Sequence, residues 1–210
     1  MFITLEGPEG SGKSSQIGLL AAFLREQGYD VIQTREPGGT RIGDQIRHCL
    51  HDVTNTEMTA VTEVLLYAAS RAQHVAELIR PALAAGKVVL CDRFADSTLA
   101  YQGYGRGLNL DDLLALTRIA TGGLKPHLTL LLDIDVERGL ARRQVGGEEM
   151  NRLDLEAVSF HQRVRQGYHT LAAAEPDRWV VVNADRPVAV VQTDLCTAVL
   201  ARLPENIARV

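Results

Sequence analysis

A chain of 210 residues, 46% hydrophobic and 23% charged, is long enough for one domain with a sizeable core and has the composition of an ordinary soluble globular protein. Its net charge of −4 argues against a general nucleic-acid binder, which needs surplus Lys and Arg to neutralise phosphates. The three cysteines, Cys49, Cys91 and Cys196, are far apart and odd in number, so neither a disulfide framework nor a C-x-x-C metal site is expected. Each reads as a small buried or half-buried residue.

The N-terminus carries no basic stretch followed by an apolar core and a cleavage site. Phe2-Ile3-Thr4-Leu5 runs straight into a glycine-rich loop, so the chain starts with structure. No apolar run approaches the ~20 residues that span a bilayer. A cytoplasmic protein without a membrane partner is expected.

Five apolar runs have strand length: Phe2–Glu6, Asp30–Thr34, Lys87–Cys91, His127–Asp133 and Trp179–Asn183. Stretches of helical composition lie between them, which predicts crossover connections and an α/β fold with a doubly wound, five-stranded parallel sheet flanked by helices. Val88-Val89-Leu90 and Leu130-Leu131-Leu132 are apolar without alternation, as strands covered on both faces are. The longest helix is expected over Glu57–Ile79, with a break near Arg80 ahead of Pro81. Asp111–Thr121 and Asn151–Ala174 read as further helices, and Pro187 suits the first turn of a last one running to about Leu203. With no repeat or linker in sight, residues 1–210 are expected to form a single domain.

Gly7-Pro8-Glu9-Gly10-Ser11-Gly12-Lys13-Ser14 matches G-x-x-x-x-G-K-[ST] in full. The glycines let successive N–H groups point into one anion-sized hollow, and a helix starting near Lys13 adds its positive end. Lys13 is placed to reach the outer phosphates of ATP, Ser15 to border them, and the Ser14 hydroxyl to ligate Mg²⁺. The loop follows an apolar strand and precedes an apolar-periodic stretch, the context a P-loop NTPase fold requires. No N-K-x-D sequence suggests a GTPase, and the length leaves no room for the partner domains of a motor. A small-molecule kinase remains, and it needs a second pocket for its acceptor.

Candidates for that pocket lie at carboxyl ends of strands, where ligands bind in doubly wound sheets. Asp92-Arg93-Phe94 follows a buried run: Asp92 could hold Mg²⁺ or accept a proton, and Arg93 could clamp a phosphate, or the two could form a surface ion pair or a helix cap. Asp133 and Asp135 end another run, where Asp135 reads as a helix cap. Tyr67 and Arg71 share a helix face and suit a nucleobase pocket, although a core-edge Tyr with a snorkelling Arg has the same spacing. Arg35-Glu36-Pro37-Gly38-Gly39-Thr40 forms a sharp turn after the second strand. Ser97-Thr98-Leu99-Ala100-Tyr101-Gln102-Gly103 collects hydroxyls, an amide and a ring, which suits a sugar and a base edge or the start of a capped helix.

Together Thr34-Arg35-Glu36-Pro37-Gly38-Gly39-Thr40, Asp92-Arg93-Phe94, Ala100–Gly103 and Gly105-Arg106-Gly107 resemble the signatures of bacterial thymidylate kinases, in order and spacing over nearly the whole chain. The resemblance implies transfer of the ATP γ-phosphoryl group to dTMP, and a homodimer formed through the long Glu57–Ile79 helix. It implies that Tyr67 stacks on thymine, Arg71 reaches its carbonyl edge, and Thr98 and Gln102 lie along the base. Tyr101 packs against the deoxyribose, and Ser97, Glu36 and Pro37 line the acceptor site. Glu9 is placed near the 3′-hydroxyl, with Arg93 and Arg35 at the acceptor phosphate. Gly10 stands where one arrangement of the family has a basic residue, so the chain is similar to the type whose catalytic arginine comes from a mobile lid. Arg142, Arg143 and Arg152 flank that lid, Gln144–Asn151 with Gly146–Met150 at its centre, and Arg152 is the best single match. Loop Asn183–Pro187 borders the adenine. The bland alternatives are another nucleotide or metabolite kinase, or a non-catalytic nucleotide-binding switch.

Overall fold

Five strands, β1 (Phe2–Glu6), β2 (Val31–Arg35), β3 (Val88–Asp92), β4 (Leu128–Asp133) and β5 (Trp179–Asn183), form one parallel sheet in the order β2-β3-β1-β4-β5. They are seen in a computed structural model that describes residues 1–145 and 151–203. Each strand lies within one residue of its predicted run. Alternation along the strands sends side chains to both faces, and both are covered. Leu130 and Leu132 pack with α1 (Lys13–Glu26), whereas Leu131 packs on the other side with Tyr168 and Trp179. Val88 and Leu90 join the first group, and Val89 and Cys91 join Phe2 and Phe94 in a third.

The remaining α-helices among the described residues are α2 (Arg41–His51), α3 (Ala60–His74), α4 (Arg80–Ala84), α5 (Ala95–Thr98), α6 (Leu110–Thr121), α7 (Val136–Val145), α8 (Val158–Ala174) and α9 (Val188–Leu200), and α5 runs on into a π-helical segment, Leu99–Gly105. Several begin where a side chain satisfies an orphan N–H: Thr40 accepts from Gly43, Thr59 from Thr62, and Asn109 from Asp111 and Asp112. Asp135 caps α7 in the same way, through Glu137 and Arg138. None of the helices among the described residues is long and apolar enough to cross a membrane.

Three expectations need correction. The helix predicted over Glu57–Ile79 begins only at Ala60 and turns π-helical over Val75–Ile79, and it does not break at Arg80. The Arg80 N–H reaches five residues back to Val75, and Pro81 then falls in the first turn of α4, where its missing N–H costs least. The helix predicted over Asn151–Ala174 begins only at Val158. Ahead of it Asn151 Oδ1 accepts from the backbone of Leu153 at 2.8 Å, and Asp154 Oδ2 accepts from the backbone of Asn151 at 2.9 Å. Such local bonds compete with the helical ladder. Cys49 is exposed on α2 rather than buried.

Candidate active site

β1 is the central strand, and the chain leaves its carboxyl end directly into residues 7–12 and α1. Lys13 is buried, and its ammonium donates to the carbonyls of Gly7 at 3.0 Å and Pro8 at 2.9 Å and to Ser11 Oγ at 3.2 Å. The loop therefore closes around its own lysine. Burial and the neighbouring Arg93 push its pKa down to about 8. Ser14 Oγ donates to Asp92 Oδ2 at 3.0 Å across the mouth of the cavity. A hydroxyl and a carboxylate side by side are the hard oxygen donors that Mg²⁺ takes, so these residues fit that ion. Among the described residues no cluster of three or more His, Cys, Asp or Glu gathers as a metal cage.

Arg93 is the only non-glycine residue at positive φ among those described, at 68°. Both terminal nitrogens of its fork are engaged: Nη1 donates to the Gly7 carbonyl, Ser97 Oγ and Tyr168 Oη, and Nη2 to Glu9 Oε1 at 2.8 Å. The guanidinium also lies over the Tyr101 ring, 4.9 Å from its centroid. Tyr101 Oη donates to the same Glu9 oxygen at 2.8 Å. Burial would raise the Glu9 carboxyl, but Arg93 and Lys13 outweigh it and hold its pKa near 2.

Beneath this pair sits Glu6, fully buried, which accepts from the Phe94 N–H at 2.8 Å, Ser97 Oγ at 2.6 Å and Tyr168 Oη at 2.9 Å. Burial and the Asp96 charge push its pKa up from 4.5 to about 7. A carboxyl raised on folding binds more protons in the native state, so its contribution is complete below pH 4.5 and is lost as pH rises towards 7. Glu6→Gln mimics the protonated form. The variant should gain on wild type by a few kcal/mol between pH 5 and pH 7.5. Paired thermal melts across that range test this, and a pH-independent difference would count against it.

A cavity of about 270 Å³ joins the loop to the expected acceptor pocket. Glu9, Gly10 and Gly12 through Ser15 line one end, and Tyr67, Arg71, Thr98, Tyr101 and Gln102 line the other. Arg35, Glu36, Pro37, Asp92, Arg93 and Ser97 lie between them. Gly7, Pro8 and Ser11 shape the loop without facing the cavity. Arg71 does not snorkel: it is buried, donating to Glu36 Oε2 at 2.8 Å and the Phe94 carbonyl at 3.2 Å. Glu36 in turn meets His74 Nδ1 at 3.1 Å, so the residue that looked like part of a turn orients the pocket arginine. Arg35 is exposed and pairs with Asp44 at 3.2 Å.

Arg47 and His51 of α2 also line the cavity, although no sequence signature marks them. Arg47 is anchored by a bond to the Pro37 carbonyl at 3.0 Å and stands near Arg35. The only hint was their position on the helix that follows the Arg35–Thr40 turn.

Of the three arginines assigned to the lid, Arg142 and Arg143 line the cavity and Arg152 does not. Arg142 donates to the Ala184 carbonyl and Asp185 Oδ1, both at 3.0 Å, which ties α7 to the loop after β5. Arg143 bonds Asp154 Oδ2 at 3.2 Å. Arg152 pairs with Glu63. The centre of the expected lid, 146–150, lies outside the described residues. Gly10 (φ 67°) touches α7 so closely that a Cβ there would lie 1.9 Å from the Gly139 carbonyl oxygen. Arg143 stands one turn beyond Gly139, on the same helix face.

A thymidylate kinase family model matches residues 5–195. The thymidylate kinase of Geotalea uraniireducens is 54% identical over 210 residues, 98% of this chain and 99% of that protein. That of Thermomicrobium roseum is 55% identical over 190 residues, 90% of each. The crystal structure of thymidylate kinase from Ehrlichia chaffeensis superposes with a TM-score of 0.78 at 33% identity, covering 95% of this chain and 98% of that one. With the family model spanning most of its length and relatives more than half identical over nearly all of it, the chain belongs to the thymidylate kinase family.

Proposed function

We infer that this chain transfers the γ-phosphoryl group of ATP to dTMP, giving dTDP and ADP, and that it works in the cytoplasm. The observation that carries the reading is the single cavity with Lys13 at one end and Tyr67, Arg71 and Gln102 at the other. A phosphate donor and a base-bearing acceptor thereby share one space, with Arg93 between them.

Phosphoryl transfer needs charge stabilisation and alignment more than covalent help. The backbone of residues 7–15 cradles the ATP phosphates, and Lys13 exchanges its loop carbonyls for their outer oxygens. Arg93, supported by Arg35 and Arg47, holds the acceptor phosphate. Glu9 faces the sugar 3′-hydroxyl and Tyr101 the deoxyribose. Tyr67 stacks on thymine, and Arg71 meets its carbonyl edge. Ser14 and Asp92 would hold Mg²⁺, which supplies charge neutralisation at the phosphates. Arg142 and Arg143 face the donor phosphates from a lid over about 142–152, and loop Asn183–Pro187 borders adenine. Arg152 joins them only by leaving Glu63.

Exposed Val61 and Leu65 lie one turn apart on α3, which supports pairing of two copies through that helix. A monomer in sedimentation velocity would overturn that part. The activity itself is tested with dTMP, dUMP, dCMP, dAMP and dGMP as acceptors: dTMP should have the highest kcat/KM, and clear preference for dCMP or a purine nucleotide would sink the assignment.

A further inference from the structure

Glu63 is a buried carboxylate in the first turn of α3, one turn before Tyr67, with no accessible surface. It accepts from Gln102 Nε2 at 2.8 Å, from Arg106 Nε at 3.2 Å and Nη2 at 3.1 Å, and from Arg152. Burial alone would raise its pKa, but the bonds from Arg106, Gln102 and Arg152 outweigh burial and hold it below the ordinary value. Ionised, it can only accept hydrogen bonds.

That chemistry fixes the Gln102 side chain. An amide can present either a carbonyl oxygen or an NH₂ group, and the two ends are nearly the same shape. A carboxylate at 2.8 Å demands the NH₂ end, because turning the amide over would set two acceptors against each other in a buried site. The end left for the cavity that Gln102 lines is the carbonyl oxygen Oε1.

We propose that Glu63 is a positioning residue for base selection: it locks Gln102 so that an acceptor faces the ring nitrogen of the base. Thymine and uracil carry a donor N–H at that nitrogen, and cytosine carries a lone pair. A cytosine base would oppose acceptor to acceptor, whereas removal of the carboxylate lets the amide turn and welcome it. Among sites that bond a specific donor, the analogue lacking it is rejected because a buried polar group is left unpaired. The proposal rests on Gln102 lying along the base, as the dTMP reading holds.

The test compares kcat/KM for dTMP, dUMP and dCMP in wild type and Glu63→Gln. The dTMP/dCMP ratio should fall at least about tenfold in the variant, carried by KM. The dTMP/dUMP ratio should stay within about twofold, because both bases carry the imide N–H. Loosening of the pocket or release of Arg152 acts on every acceptor alike and cancels from these ratios. Glu63→Asp keeps an acceptor-only group and should retain most of the discrimination. A dTMP/dCMP ratio unchanged in Glu63→Gln overturns the role of Glu63 and leaves the dTMP assignment standing. Wild type that ignores dTMP overturns the assignment itself, and the role with it. If Glu63→Gln does not fold, nuclear magnetic resonance of the wild-type protein decides. The Gln102 side-chain NH₂ protons should be protected from exchange without nucleotide, and protection that arises only on adding dTMP overturns the proposal.

Discussion

Lys13→Ala should lower kcat about a thousandfold, roughly 4 kcal/mol of transition-state stabilisation, while weakening ATP binding by only about tenfold. The asymmetry follows from where the ammonium sits. It spans the hollow, bonded to Gly7 O, Pro8 O and Ser11 Oγ. Binding of ATP exchanges those bonds for bonds to phosphate oxygens, so much of the gain in ground-state affinity is offset. Charge that builds up between donor and acceptor during transfer has no such earlier partner, and the lysine's contribution is largest there. After the side chain is removed, Arg93 Nη1 still donates to the Gly7 carbonyl. The fold should therefore survive. Steady-state kinetics with a fluorescent ATP analogue titration measure both quantities, and a loss of affinity with kcat unchanged would show that Lys13 only binds. Lys13→Arg is not expected to rescue, because a planar fork cannot take the place of three radiating donors in so closed a loop.

Much of the sheet was legible because it is encoded locally. Val88–Leu90 and Leu130–Leu132 need no partner to declare themselves as strands covered on both faces, and the glycines of residues 7–12 declare the loop. Asp92 and Arg93 could be placed at the site because doubly wound sheets bind ligands at carboxyl strand ends. The pairings across long stretches of chain were not legible. Tyr67 and Arg71 share a helix face by spacing alone, but that Arg71 is buried depends on Glu36, which arrives from another strand end. Arg47 looks like any surface residue of an amphipathic helix until the Arg35–Thr40 turn folds α2 over the cavity. Glu63 carries no signature in the sequence, yet Arg106 and Arg152 enclose it. The early end predicted for the long helix failed because a π turn absorbs Pro81, and periodicity does not reveal such a turn.

Gly10→Arg should abolish most activity, with kcat down at least about a hundredfold, even though it places a cation beside the phosphate-binding lysine. On charge alone the substitution looks favourable. Two features of the backbone forbid it here. Gly10 has φ 67°, a conformation that costs a side chain about 1 kcal/mol or more. Its Cβ would also lie 1.9 Å from the Gly139 carbonyl oxygen and 2.6 Å from the carbonyl carbon. Because the obstacle is backbone, relief requires the loop and α7 to separate, and α7 carries Arg142 and Arg143 into the cavity. The variant would gain one arginine and misplace two. The contact is reciprocal: a Cβ on Gly139 would meet the Glu9 carbonyl at 2.3 Å, so Gly139→Ala should reduce kcat in the same direction without adding charge. Kinetics and thermal melts of both variants separate the causes. Parallel losses of kcat implicate the helix–loop contact, whereas a Gly10→Arg enzyme with wild-type turnover would mean that the loop accepts its own arginine and that α7 need not stay docked. On the present geometry the loop and α7 share one closely fitted joint, which leaves no room for a side chain at position 10.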